Sequence, residues 1–226
     1  MGFGSLLLPL GIIPAIFAVY GFTYWYEGKL KEKVVYFSFI IGIIMGLFIY
    51  ILELSSFPFP YMETIGLNVI IFLSIAFSFL EQISKLMVLN LHFFSGEGLP
   101  LYGASFGSGF ASSFAPIFIR SINLNGYNML AIVIPIAVIL LTSYSGILIG
   151  IGIKKNKRAR YFFYAFLFSL ASWIITIASF FYIYLSIILF LFAILSLYHA
   201  FKRLLPFSML SRAEIKNSCK SLYINK

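Results

Sequence analysis

Apolar residues fill almost the whole chain in runs of about 20, the length that an α-helix needs to cross the hydrocarbon core of a bilayer. Short polar breaks separate the runs and predict seven spans, near residues 5–25, 34–54, 66–90, 101–119, 129–153, 161–180 and 182–201. Residues 161–201 contain no polar break. Because these 41 residues would extend about 60 Å as one helix, we expect the chain to fold back around Ser179 to Tyr184.

The pattern therefore predicts an all-α, multi-pass transmembrane helical bundle over residues 1–203, with a short basic cytoplasmic tail over residues 204–226. We expect Pro206 to end the last helix. Composition excludes a water-soluble fold. The chain is 62% hydrophobic and 10% charged, with a mean hydropathy of +1.02, whereas soluble domains are roughly 45–50% apolar and about 25% charged.

The net charge of +9 comes from basic clusters between or after the apolar runs, so it indicates topology and not nucleic-acid binding. Short cytoplasmic loops carry the excess of lysine and arginine. The breaks after spans two, four and six together contain one basic residue, Arg120. The basic clusters follow span one, span five and the last span: Lys29, Lys31, Lys33; Lys154, Lys155, Lys157, Arg158, Arg160; and Lys202, Arg203, Arg212, Lys216, Lys220, Lys226. Seven spans with the N-terminus outside and the C-terminus in the cytoplasm place all of these clusters inside, and we expect the cell (plasma) membrane.

Few residues are able to carry chemistry. Cys219 is the single cysteine, which excludes an internal disulfide and a cysteine-based metal site. The seven acidic residues are all glutamates. A zinc site needs about three protein ligands, and the histidines are only His92 and His199. We therefore expect no metal and no other cofactor. The first apolar run lacks a basic start and a cleavage site, which indicates a retained span and not a signal peptide.

Span three carries an ionisable pair inside an apolar run. Glu81 and Lys85 are four residues apart, so they share a helix face in the order that favours pairing, and Gln82 and Ser84 lie beside them. An ionisable residue within a membrane span indicates a functional site. The alternative is an interfacial salt bridge, with Lys85 reaching to the lipid headgroups.

Span four is unusually rich in glycine and serine. Gly103 and Gly107 form a GxxxG step, and hydroxyl groups follow along the same span. Such residues allow helices to approach closely and to hydrogen-bond across their interface, so we expect span four to be the tight partner of the Glu81 helix. Generic packing is the alternative, because Gly42 with Gly46 and Gly146 with Gly150 are GxxxG pairs as well. Spans one, two, six and seven are interpreted mainly as a lipid-facing wall.

These two segments, in this order, resemble the PrsW family of intramembrane proteases, within the CAAX-processing and bacteriocin-processing membrane proteases. The family's Glu-Glu-x-x-Lys motif appears as Glu81-Gln82-Ile83-Ser84-Lys85. Its Tyr-Gly-x-x-x-Gly-x-Gly-Phe-Ala segment appears as Tyr102-Gly103-Ala104-Ser105-Phe106-Gly107-Ser108-Gly109-Phe110-Ala111, followed by Ser112 and Ser113. A third segment is similar to residues 141–146, which include Ser145, and the last histidine segment to His199. The resemblance covers roughly residues 75–153.

The resemblance implies a hydrolysis in which a carboxylate activates water and further acidic and imidazole groups assist. Gln82, Phe114 and Leu141 stand where the family has its second Glu, its motif-two Glu and its first His. A glutamine is not a base, and Phe and Leu bind no metal. The candidate catalytic residues are Glu81, Lys85 and His199. The candidate binding residues are Gln82, Tyr102, Gly103, Gly107, Gly109, Ser112, Ser113 and Ser145.

Four functions remain open at this point. The preferred one is a PrsW-like scaffold whose hydrolytic site has decayed and which binds a membrane partner. The others are an active intramembrane peptidase with Glu81 as its base, a structural subunit of a larger membrane complex, and a transporter or channel. The expected partners are the lipid bilayer and another membrane protein, with no nucleic acid.

Overall fold

The computed structural model describes residues 4–26, 30–56, 67–121 and 128–209. All regular secondary structure in these four ranges is helical. The helices are α1 (Gly4–Tyr24), α2 (Glu32–Ser56), α3 (Leu67–Leu89), α4 (Leu99–Ser121), α5 (Asn128–Lys154), α6 (Arg158–Phe181), α7 (Leu185–His199) and α8 (Leu205–Met209). A 3₁₀ turn, His92–Phe94, lies between α3 and α4. The all-helical fold predicted from the apolar runs is confirmed.

The expected fold-back is present, because α6 ends at Phe181 and α7 begins at Leu185. The expectation for Pro206 is wrong. A π-helical turn, Ala200–Leu204, joins α7 to α8, so helical structure continues to Met209. Cys219 lies outside the described residues.

Five helices of the described chain are long and apolar enough to cross a membrane: Glu32–Leu52, Asn68–Leu89, Ile132–Lys154, Arg158–Ser179 and Leu185–Met209. A shorter apolar stretch, Gly11–Tyr24, lies within α1. Large apolar side chains cover the outside of the bundle, with Phe17 71% exposed and Phe72 69% exposed. A soluble monomer does not tolerate so continuous an apolar surface. These features fit an integral membrane protein with several spans.

Helix α5 lies at the centre of the bundle. Of the residues in its membrane-crossing stretch, 78% are buried, against 33% in α2 and 28% in the span that begins at Leu185. Helix α4 packs along one side of α5, and α1 and α2 cover the other side of α4. Helices α6 and α7 pack on α5, and α3 is held mainly by α6 and to a smaller extent by α5.

Glycines allow α4 and α5 to approach until their backbones touch. A Cβ on Gly103 would overlap the carbonyl oxygen of Gly146, and a Cβ on Gly146 would overlap that of Gly103. Gly107 lies in the same way against the carbonyl of Thr142. Hydroxyls then bond across the interface, Ser108 with Ser143 (2.7 Å) and Thr142 to the Gly107 carbonyl (3.1 Å).

The expectation that α4 is the tight partner of the Glu81 helix is therefore wrong. The close partners of α4 are α5 and α2, and on the α2 side Gly109 lies against the Phe39 carbonyl. Helix α3 meets α4 only to a small extent, where Leu89 approaches Gly103 and the Lys85 ammonium lies 5.9 Å from the Phe110 ring centre. The physical reason is that α5 presents small residues along this interface, with Gly146 against Gly103 and Ser143 beside Gly107, whereas α3 contains no glycine.

The connections that carry basic residues meet at one end of the bundle. The Tyr102 hydroxyl accepts a hydrogen bond from the Lys31 backbone N–H (3.2 Å). At the same end, the Lys154 ammonium donates to the carbonyls of Glu97 (3.1 Å) and Ser208 (2.7 Å). The connections after α1, α3 and α5 and the end of α8 therefore lie on the same side.

Gly103→Leu should destabilise the bundle, because the new side chain has to push α5 away from α4. Overpacking of this kind costs about 1–3 kcal/mol. Thermal unfolding in a mild detergent measures the effect as a lower Tm than that of the wild type.

Gly21→Leu is the matched control, because a Cβ at Gly21 meets nothing within 4 Å. It should leave the Tm unchanged or raise it slightly, since leucine is a better helix former than glycine. Equal losses in the two variants would contradict the backbone contact between α4 and α5.

Candidate functional site

An ion pair is buried between α3, α5 and α6. The Glu81 carboxylate and the Lys85 ammonium form a salt bridge along one face of α3, and their side chains are 2% and 0% exposed. Glu81 lies eight residues before Leu89, which is about 12 Å along the helix axis. The pair therefore lies within the helix bundle and not at its end.

Every N–H of the Lys85 ammonium has a protein partner. Besides Glu81, the ammonium donates to the backbone carbonyl of Thr142 (3.0 Å) and to the hydroxyl of Ser145 (2.5 Å). An ammonium has three donors, so none is left for a ligand. Thr142 and Ser145 are three residues apart on α5 and present these two acceptors together because they follow one another along the same helix face.

Both oxygens of the Glu81 carboxylate are engaged as well. One oxygen accepts from Lys85 and lies 3.4 Å from the Ser145 hydroxyl. The other accepts from the Ser169 hydroxyl (2.9 Å) and from the Trp173 indole N–H (2.8 Å). Ser169 and Trp173 are four residues apart on α6, so one face of α6 supplies both donors.

Protein groups thus replace the water that would otherwise solvate two charges. An uncompensated charge inside a protein or a bilayer is costly, and burial is tolerated only when hydrogen bonds complete the pair. The interfacial alternative for Glu81 and Lys85 is wrong, because the lysine does not reach the surface. As a consequence, α3 is tied through charged hydrogen bonds to two other helices.

A small cavity adjoins the carboxylate. Its volume is about 10 Å³, close to the lower limit of about 10–15 Å³ for holding one water molecule. Most of its accessible wall is apolar. The lining comprises Val138, Leu141 and Trp173 together with the hydroxyl-bearing residues Thr142, Ser145, Ser169, Ser172 and Thr176. The space therefore accommodates at most one small polar molecule beside Glu81 and no peptide.

Gln82 lies next to the pair in the sequence and is fully buried. Its amide nitrogen is 3.4 Å from the Ser145 hydroxyl. Its carbonyl oxygen has no hydrogen-bond partner among the described residues. The position that holds the second glutamate in the resembling family is therefore inside the same cluster, with a neutral side chain.

His199 belongs to a separate cluster. Its Nδ1 lies 2.8 Å from the hydroxyl of Tyr144, and the Tyr144 ring packs on Phe168 with a centroid distance of 4.5 Å. His92 is exposed in the 3₁₀ turn after α3. Within the described ranges, no group of three or more His, Cys, Asp or Glu side chains is placed to hold a metal ion.

The other candidate binding residues lie on α4 and take part in its hydrogen bonds and helix packing. Tyr102 is buried, and its carbonyl accepts from Ser38 of α2 (2.7 Å). Ser112 and Ser113 donate to carbonyls of their own helix, those of Gly109 (2.7 Å) and Phe110 (2.8 Å). Of the residues selected from the sequence, the structure brings Glu81, Lys85, Gln82 and Ser145 together, and it places Gly103, Gly107, Gly109, Ser112 and Ser113 in the packing of α4.

One buried face of α6 was not predicted from the sequence. Its residues recur with helical spacing and are all buried: Ser169, Ser172, Trp173 and Thr176. The prediction that span six is mainly a wall misses this face, although Phe163 and Leu167 are exposed on the rest of the helix. The spacing of these polar residues was the signal in the sequence, because a helix facing lipid on all sides has no reason to carry a polar stripe.

In comparisons with known proteins, no family model, curated protein or solved structure matches this chain.

Lys85→Met should destabilise the protein strongly, because it leaves the Glu81 carboxylate buried without its cation. Breaking a buried pair from one side costs about 3–5 kcal/mol. The double variant Glu81→Gln/Lys85→Met removes both charges and should recover more than half of that loss. Titration with a denaturing detergent, followed by circular dichroism, measures the two values.

Lys33→Met is the control, since Lys33 is exposed, and it should unfold at the wild-type detergent fraction. If the loss of stability in the double variant equals the sum of the losses in Lys85→Met and in Glu81→Gln, the two charges are not coupled.

Proposed function

We propose that this chain is a polytopic membrane protein with a PrsW-like scaffold that no longer hydrolyses peptide bonds and that acts by binding another membrane protein. The observation that carries the proposal is the complete hydrogen bonding of the ion pair. All three N–H groups of Lys85 and both oxygens of Glu81 already have protein partners.

A general base needs a carboxylate that is able to reach the water it activates. The Lys85 ammonium, the Ser169 hydroxyl and the Trp173 indole donate to the Glu81 carboxylate, which has about four lone-pair sites. The single proton of the Ser145 hydroxyl has a nearer acceptor in the Thr142 carbonyl. A catalytic water would therefore have to fit beside three donors that are already in place. The groups that assist hydrolysis in the resembling family are replaced by Gln82, Phe114 and Leu141. The ion pair is present although these assisting groups are absent. This supports a structural role for the two charges, which is to hold α3 against α5 and α6.

The membrane topology in this proposal is seven spans with the N-terminus outside and the C-terminus in the cytoplasm of a plasma membrane. The connections after α1, α3 and α5 lie at one end of the bundle together with the end of α8. This supports the topology, since successive crossings alternate between the two sides and an odd total brings the end of the last span to the side of the first connection. The basic clusters then face the cytoplasm, as the distribution of lysine and arginine in membrane proteins requires.

Single cysteines in a Cys219→Ser background test this topology. Tyr182→Cys, between α6 and α7, should react with a membrane-impermeant maleimide on intact cells. Ser95→Cys, between α3 and α4, should react only after permeabilisation. Both positions are exposed, so accessibility within the protein does not limit either reaction. The reverse result would invert the orientation, and labelling of both on intact cells would contradict the span count.

An active peptidase is the second candidate, and the cavity beside Glu81 is the observation that favours it. Its volume of about 10 Å³ is near the lower limit for holding one water molecule, and Glu81 is one of the residues that line it. In this alternative, Glu81 exchanges one of its donors for water during the reaction.

The two candidates differ in what Glu81→Gln does in cells. We expect the wild type, Glu81→Gln and cells without the protein to give the same set of membrane-protein termini, as measured by mass spectrometry of labelled N-termini. We also expect a stoichiometric membrane protein to co-purify with the wild type in mild detergent and to be retained by Glu81→Gln/Lys85→Met, which conserves the fold.

Glu97→Gln is the matched control for the termini, because it removes an exposed carboxyl on a connecting loop. New termini inside or beside membrane spans that appear with the wild type and with Glu97→Gln, but not with Glu81→Gln, would establish the peptidase and overturn the proposal.

A further inference from the structure

A groove opens between α1 and α2. Both helices pack on α4, and the space between them has a volume of about 220 Å³, larger than an apolar protein cavity of about 150 Å³ that binds benzene. The groove lies apart from Glu81 and Lys85, because α1 and α2 contribute no residue to that site. Any role for it is therefore independent of the proposed function.

The walls of the groove are apolar along most of their length. They are formed by Ile16, Val19, Leu30, Val35 and Phe39. Val19 and Val35 lie deepest, at 8% and 3% exposed, whereas Ile16 is 51% exposed at the rim. An apolar wall that is open along one side matches a flexible hydrocarbon chain.

Polar residues line the groove beside the apolar ones. Among the residues that the structure describes, Glu32 is the one charged residue in the lining of the groove, and it lies at the first position of α2, at the end of the bundle where the basic connections meet. Tyr20 and Tyr36, 60% and 65% exposed, stand on the two facing helices. A carboxylate at the end of an apolar groove selects an amphiphile with a cationic head and an apolar chain.

We propose that this groove binds one phospholipid with a primary-ammonium headgroup, of the phosphatidylethanolamine class. One acyl chain lies between α1 and α2, and the ammonium donates hydrogen bonds to the Glu32 carboxylate. Lys31 and Lys33 flank Glu32 in the chain and are exposed at the same end of the bundle, outside the lining of the groove, so cations for the phosphate are available near the anion for the amine. The charges of this segment match a zwitterionic headgroup that carries both.

Phosphatidylcholine is the discriminating probe, since it has the same charges and chains but its quaternary ammonium has no N–H to donate. Purified full-length protein, titrated with phosphatidylethanolamine, phosphatidylcholine or phosphatidylglycerol of identical chains, should retain the first lipid in native mass spectrometry about threefold to tenfold better than the second. That ratio corresponds to the net contribution of one hydrogen bond in water, since the charge attraction is common to both lipids.

Glu32→Gln should lower the binding of phosphatidylethanolamine to the level of phosphatidylcholine, whereas Glu97→Gln should leave the preference unchanged. Ile16→Trp should weaken the binding of both lipids by filling the groove. Ile13→Trp is its control, because Ile13 is 53% exposed on the same helix and does not line the groove. Circular dichroism confirms that each variant is folded.

Equal retention of phosphatidylethanolamine and phosphatidylcholine by the wild type would overturn the proposal. A preference for phosphatidylglycerol would overturn it too, since it would mean that the lysines select the phosphate and that Glu32 takes no part. A preference that survives Glu32→Gln would place the headgroup elsewhere.

Discussion

A salt bridge buried among apolar helices constrains the structure more than any other interaction. The ammonium of Lys85 and the carboxylate of Glu81 have no water to solvate them, so protein groups have to complete their hydrogen bonds. Those groups come from two helices, the Thr142 carbonyl and the Ser145 hydroxyl of α5 and the Ser169 and Trp173 side chains of α6. Helix α3, which has little contact with α4, is thereby fixed in rotation and in depth.

The ion pair depends in turn on the contact between α4 and α5. Thr142 offers its carbonyl to Lys85, and the same backbone segment lies against Gly107 of α4, while Gly146 one turn further lies against Gly103. Residues 142–146 of α5 therefore serve two interfaces at once. A shift of α5 away from α4 would move the acceptors of Lys85, which is why the glycines of α4 matter to a charge pair that they do not touch.

This arrangement connects fold and function. The ion pair has the hydrogen bonds of a structural clamp, and the space beside it is near the lower limit for one water molecule. The groove between α1 and α2 lies outside this clamp and has a different chemistry, with Glu32 as the one carboxylate among the described residues that line its apolar walls. The ion pair thus holds the helices together, and the groove between α1 and α2 is the proposed binding site for an amphiphile from the membrane.

The sequence by itself determined that the chain is helical and suited to a membrane, because runs of about 20 apolar residues leave no other way to satisfy the backbone. It also identified Glu81 and Lys85, since charges inside such runs are rare, and it located the fold-back after α6. Only the tertiary structure decided which helices meet. Small residues on α4 signal a close approach but do not name the partner, and the same glycine steps occur on α2 and α5. The Ser169 and Trp173 donors are 88 and 92 positions from Glu81, and pairing over such distances arises from packing and leaves no local pattern.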